Sequence, residues 1–400
     1  MLTPEYLMQA ADPVVEIYSQ VEQDILEDIA RRVVKTGYFT DTAQWQLKKA
    51  KEFGYLQGNV QDILAKATGL SQKEVQKLMT AAGTKSLAFD DAIYKAAGMS
   101  PVAVSQSPAL MAMLLQGVDT TMALIGNYTK TTAKVSTVAF NSILDRAYIQ
   151  IISGAFDPTT ALKRAIKELA TSGIEKIAYP SGATASIETA VRRAVTTGVN
   201  QSVAKLQLLR AEEMGCELVE TSSHAGARPS HAEWQGKVFC IKGHHKRYGD
   251  FYRETGYGTG AGLCGWNCYH SFYPYFEGLS TPSFSHDPSK DAGRSNDEDY
   301  ERQQKQRYYE RKIREAKKEC STLDAAMKAA QSDELHDELY KEFQRASVKL
   351  KQREARLREF IDETGRTRLR DREWTGTWNR STSSKAVWAN RKAKTDQLNR

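Results

Sequence analysis

Apolar residues recur at three- and four-residue steps through the first half of the chain, the spacing that lines one face of an α-helix. Val14, Tyr18, Val21, Ile25, Ile29 and Val33 form one such stripe and predict a long helix. Asp41, with Gln44 three residues on, predicts the cap of a second helix. Ser71-Gln-Lys-Glu74 has capping-box spacing ahead of Val75, Leu78 and Met79, and predicts another helix start. Gly98-Met-Ser-Pro101 breaks the pattern. A helical stretch then runs from about Pro108 to Ser153, with Gly126 as a candidate interruption. Asp157-Pro158 pairs a capping acceptor with a residue suited to the first helical turn; Leu162, Ile166 and Leu169 give that helix a buried face, and Gly173 can end it. The run from Ile177 to Gly182 predicts a short strand entering a turn, and a further helix follows from about Ser186 to Met214.

The pattern changes at Gly215. Glu217–Thr221 and Lys237–Ile241 read as short strands, and the glycine-dense segment from Gly243 to Ser280 reads mostly as loop. Past His286 the chain is charged helix again, over 297–320 and 333–362. Leu335, Leu339, Phe343, Leu350, Leu357 and Phe360 make so thin a stripe that the second of these needs another surface to lie on. The predicted fold class is therefore mainly α. A helical N-terminal region (1–156) leads into a small loop-rich α+β motif domain (157–286), a charged helical arm (287–363) and a basic tail (364–400).

A chain of 400 residues exceeds what one core usually organises, which agrees with several structural units. Met1-Leu-Thr-Pro-Glu5 lacks the basic start and apolar core of a signal peptide. The longest apolar stretch, Pro108 to Gly126, carries Gln116 and Asp119, so no membrane span is expected. Five cysteines are too few for a disulfide scaffold in a chain this long, which points to a soluble protein made in a reducing cytoplasm. Charge is uneven. From Thr364 onward ten Lys/Arg stand against three Asp/Glu, a balance equal to the +7 of the whole chain. The body before the tail is formally neutral and is expected to fold without it.

Six of the seven histidines (His224, His231, His244, His245, His270, His286) and four of the five cysteines (Cys216, Cys240, Cys264, Cys268) fall between Cys216 and His286. Three readings compete. Cys264, Cys268 and His270, completed by His231 or His224, could hold a structural zinc ion, although the spacing misses the tighter Cys-x2-Cys pattern. Cys264 or Cys268 could be a nucleophile activated by histidine, although no helix start or orienting third group is evident. The third reading needs only packing: His and Cys fill hydrogen-bonding and small apolar positions in a loop-rich domain, and this one is preferred. Arg228 and Arg192 are read as forks holding carbonyls or a carboxylate, and Trp234 and Trp266 as core aromatics.

The same residues carry a resemblance. His224-Ala-Gly-Ala-Arg228-Pro-Ser-His231-Ala-Glu-Trp234-Gln-Gly236 and Leu263-Cys264-Gly-Trp266-Asn-Cys268-Tyr-His270-Ser-Phe-Tyr-Pro274 resemble the signature of the phage minor capsid protein 2 family, related to Mu F-like head morphogenesis proteins. Ala190–Gln201 resembles the helix upstream of that signature. The block spans roughly 179–278, a quarter of the chain. The resemblance implies a minor structural protein of a tailed-phage head, with the portal or major capsid protein as partner and a role in assembly, DNA packaging or delivery. It implies no catalytic residues. The differing alternative is a metal- or cysteine-dependent enzyme carried in the head.

The tail offers Arg366, Arg368, Arg370, Arg372, Arg391, Lys392 and Lys394 with Trp374, Trp378 and Trp388 interleaved. Cations and aromatic faces can hold packaged DNA; equally, the tryptophans can anchor the tail on a protein surface. Arg380-Ser-Thr-Ser-Ser384 resembles an element of ADP-ribosyltransferases, but the Glu-x-Glu those enzymes need cannot follow it, because the last glutamate is Glu373.

Overall fold

The computed structural model describes residues 1–37, 41–174, 177–178 and 184–398. Its first half is helical: α1 (Pro4–Gln9), α2 (Asp12–Thr36), α3 (Thr42–Ala96), α4 (Pro108–Ile152) and α5 (Pro158–Ser172). The short strands β1 (Ile177–Ala178) and β2 (Thr184–Ala185) pair antiparallel before α6 (Ile187–Glu213). The turn expected at 179–182 lies outside the described residues. Next come β3 (Leu218–Thr221), α7 (Pro229–Ala232), β4 (Val238–Cys240), β5 (Gly249–Asp250), α8 (Phe251–Thr255) and β6 (Phe272–Tyr275). The chain finishes with α9 (Pro288–Asp291), α10 (Asn296–Ala329), α11 (Asp333–Thr364) and α12 (Arg380–Leu398). The protein is mainly α.

Several elements follow from local chemistry. Asp41 Oδ1 accepts from the backbone amides of Ala43 and Gln44 at 2.8 and 3.3 Å, and Asp157 Oδ1 accepts from Thr160 at 2.9 Å, so both expected caps form. The capping-box spacing at Ser71 does not start a helix. α3 runs through it with Ser71 buried, because no proline intervenes and the apolar spacing continues on both sides. Gly126 likewise fails to interrupt α4. Uninterrupted, α4 is the one described helix long and apolar enough to cross a membrane; 28% of its most apolar window is buried.

Contacts divide the chain into two compact units that cut across the four segments read from the sequence. One comprises Met1–Val15, Leu70–Gly126 and Val191–Gln304; the other comprises Glu16–Gly69, Asn127–Ala190 and Lys305–Arg400.

In the first unit, a four-stranded sheet of order β5-β4-β3-β6 pairs β3 antiparallel with both neighbours and β4 parallel with β5. Side chains alternate between its faces. Val219, Phe239 and Phe272 join Ala204 of α6, Trp234, Phe251, Leu263, Cys264 and Cys268 in one apolar cluster. Leu218, Cys240 and Tyr275 cluster with each other apart from it. Leu87, Leu110, Leu114 and Leu206 join α3, α4 and α6. These helices approach closely: a Cβ on Gly117 would lie 2.2 Å from Ser202 Oγ. Arg210 is wholly buried, donates to the Val102 carbonyl at 2.5 Å and lies 3.4 Å from Asp91.

Gln207 of α6 donates both to Asp90 Oδ2, at 2.9 Å, and to the Phe272 carbonyl, at 2.5 Å, tying α3 and β6 together. Burial pushes the Asp90 carboxyl up to about 8. The protonated acid is thus the form that suits the fold, so this contribution to stability is complete below the ordinary carboxylate range. It is lost progressively as pH rises toward 8 and is constant above that. Urea midpoints of the native chain, compared with those of non-titrating Asp90→Asn, are expected to fall between pH 5 and 8.5. A constant difference across that range would contradict this reading.

The second unit buries the stripe expected on α2; Tyr18, Val21, Ile25, Ile29 and Val33 are all inside. An ion cluster sits beside it: Lys318 Nζ lies 2.8 Å from Glu22 and 3.3 Å from Glu188, which also meets Arg314 at 2.9 Å. Burial opposes the Lys318 charge, but Glu22 and Glu188 together outweigh it and hold the ammonium above its usual range. The thin stripe of α11 finds its surface on α12 and α5. Lys163 and Lys167 of α5 reach Glu338 and Glu342 of α11 at 2.7 and 2.9 Å.

The segment 365–379 is a strap. Arg366 donates to Gln306 at 2.6 Å, and Gln306 donates to the Thr367 carbonyl at 3.0 Å. The Arg372 carbonyl accepts from Arg314, and that of Glu373 from Lys317 at 2.8 Å. Farther on, the Gly376 amide donates to Ser19 Oγ at 3.3 Å and Thr377 Oγ1 to Glu27 at 2.7 Å. A Cβ on Gly376 would fall 2.3 Å from Gln20 Cα, so only glycine lets the strap lie so close to α2.

Candidate metal centre

All members of this site belong to the first unit. His231 is placed by α7, a short turn that begins at Pro229, where proline suits the first helical position. Cys268 and His270 lie on the loop entering β6. That loop reverses sharply: Cys264 and Asn267 both adopt left-handed backbone, with φ of 58° and 52°. Asn tolerates this conformation better than Cys does. Its backbone is pinned by Trp266 N–H donating to the Gly260 carbonyl at 2.8 Å and Asn267 N–H to Thr197 Oγ1 at 3.3 Å. Asn200, buried on α6, donates to the carbonyls of both Cys268 (2.9 Å) and His270 (3.0 Å) and fixes their spacing.

The ligand atoms of His231, Cys268 and His270 lie within 4.8 Å of one another, and all three residues are buried. Cys268 Sγ is 3.8 Å from His231 Nδ1 and 3.6 Å from His270 Nδ1; it also accepts the His270 backbone N–H at 3.4 Å. The outward nitrogens are occupied. His231 Nε2 meets the Ala261 carbonyl at 2.7 Å, and His270 Nε2 meets Gln235 Oε1 at 3.0 Å. Burial pushes His231 down to about 4 and His270 well below its ordinary value, and lifts the Cys268 thiol to about 11.

The sequence grouping is only partly reproduced. Cys264 does not join the three: its Sγ lies 3.8 Å from the His270 carbonyl and packs in the apolar cluster, where burial raises its thiol well above the usual range. His224 stacks on the His270 ring at 4.4 Å and directs Nδ1 at the Ala225 carbonyl, 3.1 Å away. Trp234 is buried, 4.8 Å from the rings of both His231 and His270. Trp266 is not a core aromatic. It is 63% exposed, because the loop lays its ring across Gly260 and turns only its carbonyl inward. Arg228 donates to that carbonyl at 3.0 Å, and Arg192 pairs with Asp12 through one nitrogen. Gly236, at φ +63°, lets Ser285 approach where a Cβ would sit 2.5 Å from its carbonyl oxygen.

Gln235 is the member that sequence reasoning missed. Wholly buried, it accepts on Oε1 from His270 and from the His224 amide at 3.1 Å, and donates from Nε2 to the His286 carbonyl at 3.3 Å. Its own carbonyl accepts from His286 Nδ1 at 2.8 Å. In the sequence it is one glutamine between Trp234 and Gly236, with no spacing to distinguish it.

In the second unit the basic residues divide. Arg366 holds the strap, Arg368 forks onto Glu373 with two bonds of 2.6 Å, and the Arg372 backbone is gripped by Arg314. Trp374 is half-buried, and so is Trp378, with Lys317 over its ring at 5.8 Å. Arg370, Arg391, Lys392 and Lys394 are exposed, as is Trp388 at 59%.

The chain matches the family described as "Phage minor capsid protein 2" over residues 2–362. It is 25% identical over 289 residues to a structural protein of Lactococcus phage LL-H, covering 69% of this chain and 76% of that protein. A second similarity, 45% over 64 residues, is to a structural protein of Lactococcus phage mv4, of which it covers 49%. No solved structure matches.

Proposed function

The chain belongs to the phage minor capsid protein 2 family, and we propose that it acts inside a tailed-phage head, against the portal or the major capsid protein, during assembly and DNA packaging. Membership makes it a phage structural protein and places it in the virion. The observation carrying the proposal is the reach of the match, which takes in nearly the whole chain and not the motif block alone.

A structural rather than catalytic role is supported by the His/Cys cluster itself. Its outward ring nitrogens are spent on fixed oxygens, and all three of its residues are buried. Contact with portal, coat or DNA falls to the exposed face of α12, through Trp388, Arg391, Lys392 and Lys394, with Arg370 beside it in sequence on the strap. Ionic strength separates the partners. Phosphate binding weakens steeply with salt, with a logarithmic slope of roughly 0.9 per neutralised phosphate, whereas docking through Trp388 does not. The test is a phage carrying an amber codon in this gene, complemented by full-length chain or by Arg391→Ala/Lys392→Ala/Lys394→Ala. Unsuppressed infection is expected to yield few filled heads, and the triple variant to enter heads poorly. Normal titres of particles lacking the chain would overturn the proposal.

A further inference from the structure

We propose that His231, Cys268 and His270 bind one zinc-class divalent cation, with Cys268 as thiolate and both imidazoles coordinating through Nδ1. The sulfur-to-nitrogen separations are those of a tetrahedral ion. Zn–S of about 2.3 Å and Zn–N of about 2.0–2.1 Å at a tetrahedral angle place sulfur about 3.6 Å from each nitrogen. The two observed separations are 3.6 and 3.8 Å.

Proton counting points the same way. The Ala261 carbonyl can only accept, so His231 carries its proton on Nε2. Gln235 Oε1 already accepts the His224 amide, so it is the oxygen that faces His270, which also carries its proton on Nε2. Both Nδ1 atoms therefore direct lone pairs at one sulfur. A thiol has a single proton and can satisfy only one of them, which would leave a buried acceptor without a donor, a cost of about 1–3 kcal/mol. A cation satisfies all three atoms at once. The surroundings complete the requirement: each imidazole has its outer N–H anchored on an oxygen, and the sulfur accepts a backbone N–H, as a coordinating thiolate would. Such an ion would cross-link α7 to the loop that enters β6.

Full-length chain purified without chelator from zinc-supplemented cells is expected to carry one zinc per molecule. X-ray absorption is expected to show one sulfur and at least two imidazole nitrogens around it. His244→Gln, on an exposed histidine outside the cluster, is expected to keep the metal, and Cys268→Ser to lose it. Should Cys268→Ser fail to fold, cobalt titrated into metal-stripped wild type serves instead, with a thiolate-to-cobalt band saturating at one equivalent. Zinc retained by folded Cys268→Ser, two sulfurs or none around the ion, or wild type that takes up neither zinc nor cobalt would each overturn the assignment.

Discussion

Truncating the chain after Thr364 is expected to lower the stability of the second unit by at least about 5 kcal/mol. The neutral body suggested a fold independent of its tail, but charge says nothing about burial. Deletion removes the strap's bonds to Gln306, Arg314, Lys317, Ser19 and Glu27, each with a net value of about 1 kcal/mol. It also strips α12, with its buried Ala386 and Ala389, from α11, and leaves Asp324 without Lys385, 2.8 Å away. Urea unfolding followed by hydrogen exchange, with the first unit as internal reference, reads the effect. Gly376→Val makes the same point with one residue, since its Cβ meets α2 backbone that cannot swing aside. A truncated chain with an unchanged midpoint would refute the structural role of the strap.

Replacing Gln235 with Leu is expected to cost about 2–3 kcal/mol in the first unit. The volume is nearly conserved, so the loss is one of hydrogen bonds. His270 Nε2–H is left buried without a partner, at about 1–3 kcal/mol, and the partly buried His224 amide and His286 carbonyl add less each because water can reach them. Gln235→Glu keeps the acceptor only by burying a carboxyl against the His286 carbonyl; protonated, its O–H can donate there instead, so its effect should be smaller at acidic pH. Differential scanning calorimetry of the three proteins at acidic pH orders them; equal melting of Leu and Glu variants would mean that the acceptor oxygen is not what matters.

Patterns with a period were legible in the sequence. The α2 stripe and the caps at Asp41 and Asp157 depend on spacing alone, and the structure has them where the spacing put them. β6 was not legible, because Pro274 argues against a strand. It is tolerated there because β6 is an edge, with β3 its sole partner in the sheet. α12 was hidden by Ser-rich, charged composition, and only burial of its Ala386 and Ala389 against other helices marks it as structural. At the candidate site, sequence supplied the residue types but not the choice among them. Cys264 and Cys268 are equivalent on paper; the left-handed turn at Cys264 and Asn267 and the clamp from Asn200 bring Cys268 to the imidazoles.

The strap also sets a clock on synthesis. Its anchors on α2, Ser19 to Glu27, leave the ribosome about 350 residues before Gly376 and Thr377. At about 5–20 residues per second, roughly 20–70 s separate the two. Throughout that interval the face of α2 that carries Ser19, Gln20 and Glu27 lacks its strap and is open to chaperones and to neighbouring nascent chains. Ribosome-bound chains arrested before residue 365 should therefore be cleaved by protease within α2, and released chains should not.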